Sequence, residues 1–222
     1  MSKIHPTESK KVDGAASGAL DRHPSTWTVW KRSSMAFQGT DGFSVYDCEG
    51  RLAFRVDNYS RRHKCFSGEL VLMDGKGKAL LTLKPQILSL YDQWDGYKGE
   101  EEEEEDCNKR SKLPLFSMRR CSILQSSDEA EVFVKSPHSN SPTTPATFRI
   151  AGYFRGRCCK IYGSKGEEVA RISPKMASKS VMLGDDVFSL VVQPGIDCEM
   201  VMAFVVIMDR ICKKSYSPLM CS

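Results

Sequence analysis

Long apolar stretches are scarce in this chain. The longest, Met200–Met208, has nine residues, where a bilayer-spanning helix needs about 20. Met1–Leu20 is polar, carries Lys3, Lys10 and Lys11, and offers no apolar stretch of the secretory kind. Ser2 stands where N-myristoylation requires glycine, and Cys221 is out of place for a prenylation box. These absences predict a soluble, non-secreted protein of the cytoplasm, peripheral at the plasma membrane or nuclear at most. Histidine is equally thin. His5 and His23 fall in an N-terminal tail, His63 in a basic stretch and His138 in a Pro/Ser-rich one, none at metal or triad spacing. Gly163-Ser164-Lys165-Gly166 is no nucleophile elbow, and no Walker sequence occurs. The adjacent carboxylates Asp185-Asp186 read as a solvated turn. The expectation is a non-enzymatic protein without metal or cofactor.

Cysteine is present but unorganised. Nine cysteines make an odd count with no CxxC pair, which in a chain without export signals predicts reduced thiols. Cys158 and Cys159 are neighbours, so a strand would turn them to opposite faces. The sequon Asn58-Tyr59-Ser60 is idle for the same topological reason.

Charge is plentiful and uneven. The formal net charge is +4, yet residues 100–106 form a run of seven acids, and setting them aside leaves +11 on the rest. Such a basic body seeks anions: nucleic acid, an anionic membrane face or an acidic protein. Residues 1–25 predict a polar tail with little to bury, and 215–222 a second short one. Two loop insertions, 96–113 and 136–147, interrupt a single domain over 26–214. The first holds the acidic run; the second is rich in Pro, Ser and Thr, and its Ser/Thr-Pro pairs are candidate kinase targets.

Period-two alternation dominates the remainder. Trp27 and Val29, Phe43 and Val45, Leu52, Phe54 and Val56, and Ala79, Leu81 and Leu83 all read as half-buried strands. Leu70–Met73, Ile123–Gln125, Val132–Val134, Phe148–Ala151, Lys160–Tyr162 and Val187–Val192 add short β-branched or aromatic runs. A weak repeat links three of them: Asp47–Gly50, Asp74–Gly77 and Gly163–Gly166 each end a polar turn in glycine before a new strand. Glycine there supplies the positive φ of a tight hairpin.

One segment breaks the pattern. Asp197 can cap a helix over about 197–212, with Glu199 in its first turn and Arg210, Lys213 and Lys214 closing it, as the helix dipole favours. Between them Met200, Val201, Phe204, Val205, Ile207 and Met208 belong to a stretch apolar all the way round, which must be buried on every side. A buried central strand is the competing reading, since Val, Ile and Phe favour β. The natural home of one such helix in an all-β chain is the inside of a closed barrel.

These segments resemble the plant LURP-one-related proteins, whose domain is similar to the Tubby C-terminal domain and to phospholipid scramblases. The likeness runs from about Thr26 to Ile211. It is carried by Gly42–Tyr59, by Leu70–Leu83, by Leu88, Leu90, Trp94, Tyr97 and Gly99, and most specifically by Leu183–Asp197 leading into the apolar segment and Asp209. The resemblance implies an antiparallel barrel of about twelve strands enclosing the C-terminal helix. It also implies a link with plant defence and, through Tubby, with phosphoinositides.

The expected partner is therefore an anionic phospholipid or phosphoinositide surface. Candidate head-group residues are Arg61, Arg62 and Lys64, with Arg119, Arg120, Lys175 and Lys179, and with Arg155 and Arg157 as further additions. Each cation near an anionic leaflet contributes roughly 1 kcal/mol. The acidic run, tethered to this basic body, is expected to compete with external anions. The alternatives are a scaffold docking proteins through the acidic and Pro/Ser loops and, more remotely, a nucleic-acid-associated regulator, for which no recognised module is present. Scramblase activity rests on fold likeness alone.

Overall fold

The three glycine turns fold as their local chemistry requires. Asp47 Oδ1 accepts hydrogen bonds from the backbone N–H groups of Glu49 and Arg51, both at 2.9 Å. Asp74 Oδ1 does the same for Lys76 (2.9 Å) and Lys78 (2.8 Å). Gly50, Gly77 and Gly166 close their turns at φ of 77°, 95° and 80°, and the strand register slips by a bulge beside each. This is the three-residue hairpin in which a left-handed glycine makes the bulge.

In a computed structural model, described for residues 23–32, 42–58, 68–87, 89, 91–99, 113–121, 128–135, 146–177, 181 and 183–214, these hairpins belong to one closed barrel. Its strands are β1 (Ser25–Arg32), β2 (Gly42–Tyr46), β3 (Leu52–Asn58), β4 (Leu70–Asp74), β5 (Ala79–Pro85), β6 (Trp94–Lys98), β7 (Phe116–Arg120), β8 (Ala130–Val134), β9 (Phe148–Tyr153), β10 (Cys158–Gly163), β11 (Glu168–Pro174) and β12 (Val187–Val192). Each pairs antiparallel with its sequence neighbours, and β12 pairs β1 to close the ring, so no edge is left open among the described strands. Inward residues alternate along each wall: Val29, Phe43, Val45, Leu72, Leu83, Met118, Val132, Ile150, Ile161, Ile172 and Leu190 are all buried.

Helix α1 (Cys198–Lys214) fills the lumen. Asp197 Oδ1 caps it, accepting from the N–H of Glu199 at 2.9 Å and of Met200 at 3.2 Å. Val201 through Met208 are completely buried, so the competing strand reading is set aside. Phe204 packs edge-on against Phe116 with ring centroids 5.1 Å apart and lies 5.5 Å from Phe148, a favourable aromatic geometry.

Several boundaries differ from the sequence expectation. β1 begins at Ser25, inside the expected tail, because Ser25 pairs with Val192 at the foot of β12. β6 takes in Gly96–Lys98, placed above in a loop. Gly96 lets β6 lie against the Phe116 ring, which a Cβ there would strike. Trp94-Asp-Gly-Tyr-Lys98 carries no strand signal of its own, since it lacks both the alternation and the β-branched content of a strand. The run Ile123–Gln125 lies outside the described residues. Cys158 is exposed and Cys159 buried, as the alternation required.

Candidate functional site

Antiparallel order assigns every connection to one of two barrel ends. The helix enters at one, beside the 47–51, 74–78 and 163–167 turns, and its C-terminus reaches the other. That exit end gathers the stretches between β1 and β2, β3 and β4, β5 and β6, β7 and β8, β9 and β10, and β11 and β12. Over 31–41, 59–69, 86–93, 119–129, 154–157, 175–186 and 209–214 the sequence places fourteen Lys and Arg against eight Asp and Glu. Over 47–51, 74–78, 98–115, 135–147, 163–167 and 193–199 the count is nine against thirteen. Among the described residues of these stretches, strand and helix ends included, the count is ten cations against seven acids at the exit end and six against six at the entry end.

Every nominated cation among the described residues belongs to that end, but they are unequal. Arg157, in the 154–157 turn, is only 5% exposed and holds a left-handed φ of 56°. Its Nε donates to the Asp185 carbonyl at 2.8 Å, and its guanidinium lies 4.4 Å from the Phe188 ring centroid and 5.0 Å from that of Phe154. A terminal nitrogen stands 4.0 Å from Asp209 Oδ1. Burial pulls its pKa down while Asp209, Asp185 and Asp186 act to raise it. Arg157 is therefore no surface head-group ligand, contrary to the sequence expectation: it is an interior plug.

The same carboxylate serves Lys31, whose Nζ sits 2.8 Å from Asp209 Oδ1 with both side chains largely buried. Arg155 donates to the Cys212 carbonyl at 2.6 Å, meeting an orphan acceptor of the last helical turn. Cys212 itself is buried, and burial pushes its thiol far up, with Asp128 adding to the shift. Burial likewise pushes Cys159 up to about 12. Neither thiol is set up as a nucleophile.

Arg119 and Arg120 lie on β7 rather than in a loop. Arg119 points outward, 3.2 Å from Glu131 and 4.7 Å from the Phe133 ring centroid, whereas Arg120 is partly buried and acts electrostatically on Cys212. Lys175 donates to Thr28 Oγ1 at 3.1 Å. Arg61, Arg62, Lys64 and Lys179 lie outside the described residues, in the stretches joining β3 to β4 and β11 to β12. The acidic run 100–106 and most of the Pro/Ser stretch also lie outside them, and the strand ends flanking both belong to the entry end. Asp185 and Asp186 are exposed turn residues. Among the described residues no three His, Cys, Asp or Glu side chains converge as metal ligands, and no helix is long and apolar enough to cross a membrane.

The apolar decoration of the exit end has no periodic signature along the chain. Among the described residues Ile87 (80% exposed), Tyr91, Tyr153, Met176, Val181 and Leu183 all project from its connections or strand ends. Trp30, half-exposed, stands two residues from the end of β1. The entry end shows Leu52, Leu113 and Leu115.

Comparison with known proteins agrees with the architecture. The model of the family described as LURP-one-related matches residues 25–209. Protein LURP-one-related 12 of Arabidopsis thaliana is 40% identical over 182 residues, covering 81% of this chain and 75% of its own length. Protein LURP-one-related 5 of the same plant is 39% identical over 184 residues, covering 82% and 80%. A crystal structure of an Arabidopsis thaliana protein superposes with a TM-score of 0.56 at 22% identity, covering 86% of this chain and 92% of that one, which shows the shared fold.

Proposed function

For this chain, which belongs to the LURP-one-related family, we propose a binding role without catalysis: recruitment to anionic phospholipid, phosphoinositide-bearing membrane surfaces in plant signalling or defence. The observation that supports the reading is the excess of cations at the helix-exit end, ten against seven acids among the described residues there, in stretches whose full sequence carries fourteen against eight. A barrel so polarised is steered end-on toward an anionic plane. Lys31, Arg155 and Arg157 are committed to the helix end and Arg120 is turned toward Cys212, so contact with lipid head groups falls to Arg61, Arg62, Lys64 and Lys179, with Arg119 and Lys175 at the rim.

The test is flotation of the full chain with phosphatidylcholine vesicles, with and without phosphoinositide, across a salt series. Binding is expected only with the anionic lipid, weakening with salt, and lost on combined neutralisation of Arg61, Arg62 and Lys64. Equal recovery with neutral and anionic vesicles would sink the reading. The acidic run gives a second handle. The five-residue strands β6 and β7 hold the chain ends that flank it about 16 Å from the exit end, beyond the ~8 Å screening length at physiological ionic strength but within the ~30 Å length at 0.01 M. Deleting 100–106 should therefore strengthen vesicle binding at the lowest salt and leave it unchanged at physiological salt.

A scaffolding role is the second reading. It is favoured by the rooting of the acidic and Pro/Ser stretches in neighbouring connections of the entry end, between β6 and β7 and between β8 and β9. Capture of a protein partner that requires those stretches, with no vesicle binding, would select it.

A further inference from the structure

We infer that the exit end does more than attract an anionic membrane: its exposed apolar side chains enter the interfacial layer, so that docking has a salt-resistant part. The inference rests on the membrane-binding reading above and adds what that reading lacks. Ile87 and Tyr91 stand on the β5–β6 connection, while Met176, Val181 and Leu183 stand on the β11–β12 connection. In ring order these two connections face each other across the barrel mouth, giving two apolar feet with the cation-bearing stretches between them.

The chemistry fits a lipid interface better than a protein partner. An interfacial binder combines apolar and Tyr side chains with Lys and Arg in one plane, since ring and aliphatic groups settle at head-group depth while the cations meet phosphate. Val181 stands in a short hairpin extension, where Ala177 N–H donates to its carbonyl at 2.8 Å and Leu183 N–H donates to the Lys175 carbonyl at 2.9 Å. That backbone pairing presents the side chains without cost to the barrel wall. Ile87, at 80% exposure, sits beside the anchored Gln86, which donates to the buried carboxylate of Asp95 at 2.6 Å. Ile87 and Val181 thus stand beside hydrogen bonds that tie their own connections at Gln86, Lys175 and Ala177.

The experiment compares the full-length wild type with I87S/V181S, with an R61Q/R62Q/K64Q triple variant, and with L113S, which alters an equally exposed leucine at the entry end. Serine removes the apolar groups without adding charge. Partition is measured on phosphatidylcholine vesicles carrying a phosphoinositide, at low and at high salt, with circular dichroism confirming the fold. Wild type is expected to retain measurable binding at high salt, and I87S/V181S to lose about tenfold in partition at both salts. L113S should bind like wild type, and the triple variant should lose mainly the salt-sensitive part. Wild-type partition by I87S/V181S beside a weakened triple variant overturns insertion and leaves the electrostatic reading intact. Absence of binding by wild type overturns both. If I87S/V181S instead abolishes a concentration-dependent dimer in solution while vesicle partition is unchanged, the feet belong to a second copy of the chain and insertion is likewise overturned.

Discussion

The two ends of the barrel solve the same closure problem with opposite means. At the entry end each turn is held by residues a few positions apart: Asp47 bonds Glu49 and Arg51, Asp74 bonds Lys76 and Lys78, and Asp197 caps its own helix. At the exit end the helix terminus is held by contacts between remote segments. Lys31 of β1 reaches Asp209 of α1, Arg155 reaches Cys212, and Arg157 reaches both Asp185 and Asp209. Entry-end contacts are exposed and local, while exit-end contacts join remote segments through largely buried cations, to the Asp209 carboxylate and to backbone carbonyls.

The largest expected effect tests that asymmetry directly. Asp209→Ala removes the one carboxylate shared by Lys31 and Arg157 and strands two cations in a largely dry site. Breaking a buried ion pair in this way costs about 3–5 kcal/mol, read as a lowered urea midpoint by circular dichroism. Asp47→Ala should cost far less, because its partners are exposed. Equal losses for the two variants would erase the distinction between the ends.

Next in size is the backbone effect at the entry end. Gly50 and Gly166 hold positive φ, and a Cβ at either would meet nothing within 4 Å. Ala at either position should therefore cost about 1–2 kcal/mol through backbone conformation alone, and Gly166→Asn should cost less, since Asn tolerates the left-handed region. Loss of the cap by Asp197→Ala is expected to cost about 1 kcal/mol, with thermal denaturation following both. An Asn variant no better than the Ala variant would mean that something other than φ fixes the turn.

Legibility in the sequence followed the same divide. Glycine at the end of a polar turn, alternation along Leu52–Val56 or Ala79–Leu83, and an acid-led apolar run at Cys198–Lys214 are all local patterns. The closed barrel with its central helix was readable from them and from the resemblance they carry. The exit end was not. Nothing adjacent to Arg157 in the chain marks it as buried; it looks like the neighbouring exposed arginines until β9–β10 folds it beneath Asp185 and against Asp209. Likewise Arg119 and Arg120 form one basic pair in the sequence, but a strand turns them to opposite faces. The apolar feet escaped because single exposed hydrophobics in short connections have no periodicity, and only the topology collects them at one end.

The smallest effect sharpens the contrast, because the entry end has an ionic cluster of its own. Glu168 lies 3.0 Å from Lys160 and 2.7 Å from Arg171 on the outer wall, all three within a dozen residues of chain. Hydrogen bonds from Arg171 and then Lys160 hold its carboxyl down at about 2. A depressed carboxylate stabilises the fold above the unfolded-state value of roughly 4.3, and that contribution fades as pH falls from there toward 2. Both cations are about half exposed, so solvent reduces the contribution to between a few tenths and about 1 kcal/mol. Glu168→Gln should lower the urea midpoint slightly at pH 7, by less at pH 3, and by less again in high salt. A deficit that stays constant from pH 7 to pH 3 would show that Glu168 acts through packing rather than charge, and the exposed cluster would then differ from the Lys31–Asp209–Arg157 site in kind as well as in size.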